Sequence, residues 1–342
     1  QDTTYFDLLI AKAILSKYDS EKYKYQLGID FQYQSANGQR ILDNYQKQFN
    51  YAIFSTIEYQ LNDIISIRPS SRFIYNTNYK APFIPSLNIL FNFNNYSIRA
   101  SYAKGFRAPD FKELFLNFVD INHNITGNNL LLSEKSDNYT INTSFKNNLG
   151  NAKISSEFSL FYNIISNKIG LYSLAENPEE YSYFNVENFI TKGLSENIKI
   201  SLQKLELNLG ASYIGAYSAL NTIGDNTKLW NFSINYNANA IFTLDTKTKI
   251  NVFYNNIGKT PYFKLENEII TKSFSDSYSL LDISLNRIIY NDLITLTLGA
   301  KNLFDVKSIK RYQDNNSVHA SGANNISIGY GRTFFAQLNF RL

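Results

Sequence analysis

Apolar and polar residues alternate along most of this chain, in segments longer than the strands of soluble proteins. One such segment places Phe232, Ile234, Tyr236, Ala238, Ala240 and Phe242 at every second position, and another places Leu205, Leu207, Leu209, Ala211 and Tyr213 there. The residues between them are mostly Asn, Ser, Lys and Glu. A period of two puts one set on each face of a β-strand. These segments run about ten residues or more, the length that a tilted strand needs to cross a bilayer, whereas soluble strands usually have about five or six.

The alternation predicts an all-β fold with fifteen strands. They span residues 3–17, 22–34, 48–60, 64–76, 83–93, 96–106, 137–148, 152–173, 181–201, 204–218, 229–243, 248–259, 277–288, 292–305 and 327–342. Short turns rich in Asn, Asp and Gly alternate with longer segments near 35–47, 107–136, 219–228, 260–276 and 306–326.

Short turns at one end and long loops at the other are typical of a transmembrane antiparallel β-barrel of the outer membrane, whose short turns face the periplasm. If the last strand runs toward the periplasm, every long segment lies outside. The connection near 77–82 fits this scheme least, because it is short where an external loop is expected. Fifteen strands are also an incomplete set, since bacterial single-chain barrels have even strand numbers. We therefore expect residues 1–342 to be part of a single transmembrane β-barrel domain whose first strands are missing.

Composition excludes several other classes of protein. The chain has no run of 18 apolar residues, which argues against a helical membrane protein. It has no Cys, and its two His leave little room for a His-rich metal site. The 33 basic and 29 acidic residues are mixed along the chain, so nucleic-acid binding is not expected. Aromatic residues reach 15%, and in membrane barrels such rings form girdles at the two interfaces.

An enzyme is not predicted. Catalysis by a nucleophile needs a base and an orienting group within reach, and only His123 and His319 could supply an imidazole base. The nearest approach to a G-x-S-x-G motif, Gly193 to Asn197, lacks the final glycine. A soluble adhesin is also not favoured, because the chain shows no internal repeat of about 20–50 residues.

Three segments of the chain resemble the TonB-dependent outer-membrane receptors. They are SYAKGFRAPDFKELFLNF followed by HNITGNNLLLSEKSDNYT, then GAKNLFDVK, and finally GYGRTFFAQLNFRL. The resemblance implies a 22-stranded barrel filled by an N-terminal plug, of which this chain would be the C-terminal part. Neither the plug nor its coupling segment is recognisable here, so about seven strands and the plug are expected to precede Gln1.

The same resemblance implies a multi-pass barrel of the cell outer membrane that imports an iron chelate, either haem or a ferric siderophore. That molecule would be the transported ligand, and no resident cofactor is expected. The implied partners are outer-membrane lipids and, through the missing N-terminal part, the TonB–ExbB–ExbD energy-coupling complex. A surface lipoprotein partner stays open. The alternatives are a receptor of the same family for cobalamin or another small ligand, or a passive porin-like channel.

Haem receptors of this family carry an FRAP box, a histidine and an NPNL-like box. Phe106, Arg107, Ala108 and Pro109 match the first box, and Gly127, Asn128, Asn129 and Leu130 are the candidate second box, which lacks the proline. His123 lies between them, and a neutral imidazole there could ligate haem iron axially. The alternative roles are a loop hydrogen bond for His123 and simple termination of the strand by Pro109. His319, in the last external loop, is either a ligand contact or incidental.

Two arginines fall on the polar face of the strand before this loop. Arg99 and Arg107 alternate with Tyr96, Ile98 and Ala100, so they face the lumen if the apolar residues meet lipid. Arginine there can bind an anionic ligand such as a haem propionate or a ferric chelate. It can equally pair with carboxylates of the plug or of the lumen wall.

Overall fold

The computed structural model describes residues 3–20, 22–119, 124–173, 180–219, 230–266, 269–290, 293–313 and 324–340. They form a 17-stranded sheet and a separate four-stranded sheet, with a single short helix among the described residues. In this part of the chain no helix has the length and hydropathy needed to cross a bilayer.

Long strands form the wall of the fold, and short elements lie in its connections. The wall strands are β1 (Thr4–Lys17), β2 (Tyr23–Gly38), β3 (Tyr45–Gln60), β4 (Ile65–Asn76), β5 (Ile84–Asn92), β6 (Tyr96–Arg107), β9 (Glu134–Leu149), β10 (Ala152–Ser173), β11 (Tyr181–Ser201), β12 (Leu205–Ala219), β13 (Trp230–Thr243), β14 (Thr248–Ile257), β17 (Tyr278–Tyr290), β18 (Ile294–Lys301) and β21 (Thr333–Phe340). The short elements are α1 (Phe111–Phe115), β7 (Asn117–Val119), β8 (Asn124–Thr126), β15 (Thr260–Glu266), β16 (Ile269–Ser275), β19 (Ser308–Gln313) and β20 (Asn324–Ser327).

Every predicted strand has its counterpart in the wall. Each wall strand pairs antiparallel with the next, and β6–β9, β14–β17 and β18–β21 bridge the loops that carry short elements. The predicted fifteen-strand antiparallel order is therefore confirmed.

Two predicted strands are too long. The strand predicted over 292–305 ends at Lys301, because Asn302 and Asp305 adopt positive φ angles of 52° and 57° and turn the chain. The last strand begins at Thr333 rather than 327, after Gly331 at a φ of 84°. The loops predicted at 260–276 and 306–326 contribute β15, β16, β19 and β20, which form the four-stranded sheet.

The register separates an apolar face from a polar face across five consecutive strands. Cα partners follow one another on the apolar face as Ile141, Leu160, Leu194, Tyr213 and Ile234. The adjacent row on the opposite face is Asn142, Ser159, Ser195, Ser212 and Asn235. Apolar side chains on the first face stay open, with Ile234 56% exposed. A barrel wall with lipid outside and a polar lumen has this distribution.

Aromatic and basic side chains meet toward the loop end of the apolar face. The rings of Tyr213 and Phe232 stack with centroids 4.9 Å apart. The Lys192 ammonium lies 4.0 Å from the centroid of the Trp230 ring. An amine held on an indole face at the edge of an apolar band is the arrangement of a membrane interface, where Lys reaches toward the headgroups.

The most deeply buried apolar residues lie where the connections fold together. Phe111 packs with Ala36 and Ile41, and Leu114 packs with Leu131 and Ile169. Tyr79, from the short connection between β4 and β5, packs against the second of these clusters. That connection therefore lies at the same end as the long loop after β6, as the predicted orientation requires.

Candidate functional site

The Phe106–Pro109 box contains the end of β6 at Arg107 and the first two residues of the loop that follows it. Pro109 has no amide hydrogen with which to extend the ladder, and it is fully buried. The chain then enters α1, whose first turn is closed by a reciprocal pair of hydrogen bonds. The Glu113 amide donates to Asp110 Oδ1 at 2.9 Å, and the Asp110 amide donates to Glu113 Oε2 at 2.8 Å.

Arg107 connects this turn to the next wall strand. Its Nε and Nη2 donate to Glu134 Oε2 and Oε1, both at 2.8 Å. Its Nη1 donates to both carboxylate oxygens of Glu113, at 3.0 and 2.8 Å. The hydrogen bonds that Arg107 donates to Glu134 and Glu113 raise the pKa of its guanidinium, although burial opposes them. One planar cation thus holds two carboxylates from different elements, a geometry that Arg can satisfy and Lys cannot.

Glu134 is held by more than its ion pair. The Ile169 amide donates to Glu134 Oε1 at 2.7 Å. Burial alone would raise the pKa of Glu134, but the hydrogen bonds from Arg107 and Ile169 outweigh it and the pKa is lowered. Glu134 therefore stays ionised at neutral pH and joins β6, β9 and β10 at the loop end of the wall.

The Gly127–Leu130 box lies against the same helix. A Cβ added at Gly127 would be 2.7 Å from the carbonyl carbon of Leu114, so the close backbone approach requires glycine. The Asn128 amide donates to the Glu113 carbonyl at 2.8 Å, and Asn128 Nδ2 donates to the Tyr183 carbonyl at 2.8 Å. Leu130 points away and is 82% exposed. The second box thus braces α1 against the hairpin formed by β10 and β11.

That hairpin is attached to the loop by Asn185 of β11. Its Oδ1 accepts from the Leu132 amide at 2.7 Å, and its Nδ2 donates to the Leu132 carbonyl at 3.0 Å. The same Nδ2 donates to the carbonyl of Asn167 at 2.7 Å. Asn167 has a φ angle of 57° and is left out of the register that pairs β10 with β11. A short parallel pairing of β8 with β11 adds to this attachment.

The structure brings the two predicted boxes together and separates them from Arg99. Glu113 joins the boxes, because its carboxylate binds Arg107 and its carbonyl accepts from Asn128. Arg99 lies on the same face of β6 as Arg107, about 26 Å farther along the strand at 3.3 Å per residue. Its side chain is exposed. His123 and His319 lie outside the described residues.

Sequence reasoning missed Glu113, Glu134 and Asn185, which determine the shape of this loop. The spacing of Asp110 and Glu113 is that of a capping box and could have revealed Glu113. Glu134 and Asn185 carry no comparable local signal. Among the described residues, no group of three or more His, Cys, Asp or Glu side chains could hold a metal ion.

Comparison with known proteins agrees with this architecture. Residues 2–303 match the family described as TonB dependent receptor-like, beta-barrel. The chain belongs to this family. The predicted resemblance and the predicted fold are thereby confirmed, and the family is one of receptors rather than enzymes. No curated protein sequence matches the chain.

Solved structures of two bacterial receptors and of an iron transporter share the fold at low sequence identity. The siderophore receptor PirA from Pseudomonas aeruginosa is 14% identical, with a TM-score of 0.69, over 98% of this chain and 55% of that one. A mutant of the ferric enterobactin receptor PfeA from the same organism, in complex with enterobactin, is 15% identical, with a TM-score of 0.73, over 98% and 54%. The FrpB iron transporter from Neisseria meningitidis is 12% identical, with a TM-score of 0.73, over 98% and 55%. The chain thus spans about half the length of these receptors.

Proposed function

We propose that this TonB-dependent receptor barrel belongs to an outer-membrane protein that imports an iron chelate. The family match over residues 2–303 carries the proposal. The open apolar face of the wall supports a location in the outer-membrane lipids. The structural relatives named as siderophore receptors and as an iron transporter support an iron chelate as the transported ligand.

Energy would come from the TonB–ExbB–ExbD complex, which would act through the plug of the complete receptor. The barrel would contribute the membrane wall and the outer loops that receive the ligand. Neither of these roles breaks a covalent bond. A surface lipoprotein that delivers the ligand is compatible with this scheme and is not required by it.

Haem and a ferric siderophore make different demands on the loop residues. Haem would use His123 as an axial ligand of the iron, with His319 as a further contact. A ferric siderophore would use cationic side chains such as Arg99, whose guanidinium is exposed on the polar face. Arg107 already binds two carboxylates, so its contribution would be to hold the loop that faces the ligand.

Growth of bacteria that lack their own chelate receptors tests the proposal. Cells that produce the full-length protein are given haem, ferric siderophores or cobalamin as the limiting nutrient, in the presence and absence of TonB. We expect TonB-dependent growth on one iron chelate. TonB-independent entry of many small solutes would instead indicate a passive channel, and growth on cobalamin alone would indicate the other ligand class. Unchanged growth of the His123→Ala variant on haem would exclude His123 as the haem ligand.

A further inference from the structure

An apolar groove crosses the lipid face of the wall from β9 to β13, toward the loop end. It has a volume of about 390 Å³. Three aliphatic side chains that are Cα partners on neighbouring strands line it, namely Ile141, Leu160 and Leu194. All three stay exposed on the wall. Acyl chains cover a surface of this kind, because both are apolar.

Lys192 places a cation at the rim of this groove. Its ammonium lies 4.0 Å from the centroid of the Trp230 ring and 5.8 Å from that of the Phe232 ring. Gly215 stands between Lys192 and Phe232 in one row of Cα partners, and an added Cβ there would overlap the Phe232 ring. Because Gly215 has no side chain, the lysine and the ring meet across β12. Two aromatic rings thus hold the ammonium beside the groove.

The groove offers this cation no partner of opposite charge. Of the residues that line it, all in the described part of the chain, Lys192 alone carries a formal charge. Two carboxylates share this face at a distance. Glu196 lies four residues along β11, about 13 Å away at 3.3 Å per residue. Asp137 lies two strands away, on the side of β11 opposite Trp230, and accepts from Tyr102 Oη at 2.7 Å. An external anion therefore has access to Lys192.

Two tyrosines stand next to Lys192 in the same row. Tyr139, Tyr162 and Lys192 are consecutive Cα partners across β9, β10 and β11. Side chains at directly opposite positions are about 4.5–5.5 Å apart at Cβ. Phenol hydroxyls donate hydrogen bonds, and a phosphate group accepts several of them. The row thus combines one cation and two hydroxyl donors beside an apolar groove.

From these contacts we propose that the groove binds a phosphorylated lipid, with the phosphate on Lys192 and an acyl chain in the groove. A zwitterionic headgroup carries its own ammonium beside its phosphate, so its net attraction to Lys192 is smaller. The site lies toward the loop end of the wall, so the lipid belongs to the outer leaflet. This inference rests on the proposed outer-membrane location and goes beyond it, since it assigns one preferred lipid site to the wall.

Trp230 allows the site to be tested by fluorescence, because it is the single tryptophan of these 342 residues. The full-length receptor is placed in vesicles that contain either phosphatidylcholine or phosphatidic acid with brominated acyl chains, which quench a nearby indole. The same receptor with Trp230→Phe supplies the background from any other tryptophan. One lysine near the membrane surface favours an anionic lipid about fivefold, so phosphatidic acid should quench Trp230 about fivefold more effectively.

Three variants separate the charge of Lys192 from its bulk. Lys192→Gln removes the charge and should abolish the preference for phosphatidic acid, whereas Lys192→Arg should retain it. Lys104→Gln is the matched control, because Lys104 lies on the same face of the wall, outside the groove and opposite Asp137 in the register of β6 and β9. That variant should keep the full preference. Each preference is a ratio of two lipids measured on one variant, so a change in the surroundings of Trp230 cancels.

Equal quenching by the two lipids in the unaltered receptor, or a preference that survives in Lys192→Gln, would overturn the site. Weak quenching by both lipids would indicate that another protein surface covers the groove, and it would overturn the lipid assignment as well. Flotation with the vesicles measures insertion separately. Protein that does not float refutes both the outer-membrane location and this site, whereas floating protein without a lipid preference refutes the site alone. A receptor that shows the preference but imports no iron chelate keeps the site and refutes the proposed transport.

Discussion

Arg107 and Glu134 are direct partners across β6 and β9, joined by two parallel hydrogen bonds of 2.8 Å. The pair fixes the point at which the loop leaves the wall, because the remaining donor of Arg107 reaches Glu113 at the start of α1. The loop is thus anchored by side chains from both of its ends. Its shape depends on the planar geometry of one guanidinium.

Replacement of Arg107 by Lys should loosen the loop without unfolding the wall. Lys cannot bind two carboxylates in one plane, and the Arg107 side chain is 43% exposed, so solvent screening limits the cost to about 1 kcal/mol. That cost corresponds to about fivefold faster proteolysis between residues 108 and 133. Arg99→Lys, on the same face of β6, is the control and should be cleaved at the original rate.

Acid should open the same loop. Burial would raise the pKa of Glu134, but hydrogen bonds from Arg107 and the Ile169 amide lower it below the ordinary value of 4.5. The stabilisation is therefore fully present above pH 4.5 and is lost as the pH falls through the lowered pKa of the folded state. Hydrogen exchange of the 108–133 amides between pH 7 and pH 3 measures this loss. A Glu134→Gln variant that retains the full pH response would show that another group is responsible.

Gly127→Ala should destabilise the contact between the second box and α1. The new methyl group would meet the Leu114 carbonyl carbon at 2.7 Å and the Phe115 nitrogen at 2.8 Å, both of them backbone atoms. Overpacking of this kind costs about 1–3 kcal/mol. Gly329→Ala is the matched control, because no atom lies within 4 Å of its added Cβ. Loss of amide protection at Asn128 in the first variant alone is the expected outcome.

Arginine on the two faces of β12 should have unequal effects. Leu207 pairs with Ile200 and Ala240 on the apolar face, so Leu207→Arg should cost about 2–4 kcal/mol in a bilayer. Asn208 lies on the polar face, where Asn208→Arg should cost far less. Denaturant titration of the receptor in lipid vesicles compares the two. A larger loss for the Asn208 variant would mean that the faces are reversed.

Removal of a carboxyl group from the apolar face should stabilise the wall. Glu196 lies on that face between Leu194 and Ile198, where Ser156 Oγ donates to it at 2.6 Å. A carboxyl group facing lipid is unfavourable, so Glu196→Leu should raise the free energy of unfolding by about 1–2 kcal/mol. Glu206→Leu, on the polar face, breaks an ion pair with Lys199 and should not stabilise. A loss of stability in the Glu196 variant would indicate that the carboxyl group has a partner in the membrane.

The wall could be predicted because its signal is local. Each strand can be identified from its own alternation of apolar and polar residues. The faces assigned to Leu207 and Asn208 follow from the residues one or two positions away in sequence. The strand predicted to continue to 305 failed where Asn302 and Asp305 turn the chain. Tertiary contacts hold these two residues at positive φ angles; one is the hydrogen bond from the Asn302 amide to Asp282 Oδ1. The alternation of apolar and polar residues carries no information about such contacts.

For the loop between β6 and β9, the sequence predicted the Phe106–Pro109 and Gly127–Leu130 boxes but not how they pack against each other. The alternation predicts that Arg107 lies on the polar face of its strand, but it gives no sign of the partner Glu134, which is 27 residues away in sequence. That proximity exists because the whole intervening segment returns to the wall beside β6. Asn185 is 53 residues from Leu132 in sequence, and no motif around Asn185 predicts its hydrogen bond to the Leu132 amide. Long-range side-chain partners of this kind are a product of the tertiary fold.

The cluster of Leu114, Leu131 and Ile169, with Tyr79 against it, joins the loop after β6, the connection between β4 and β5, and strand β10 into one packed unit. Antibodies or phages approaching this end would recognise a composite epitope assembled from segments far apart in sequence. A synthetic peptide copied from any single connection would reproduce that epitope poorly. Antisera raised against the folded receptor should therefore cross-react weakly with linear fragments.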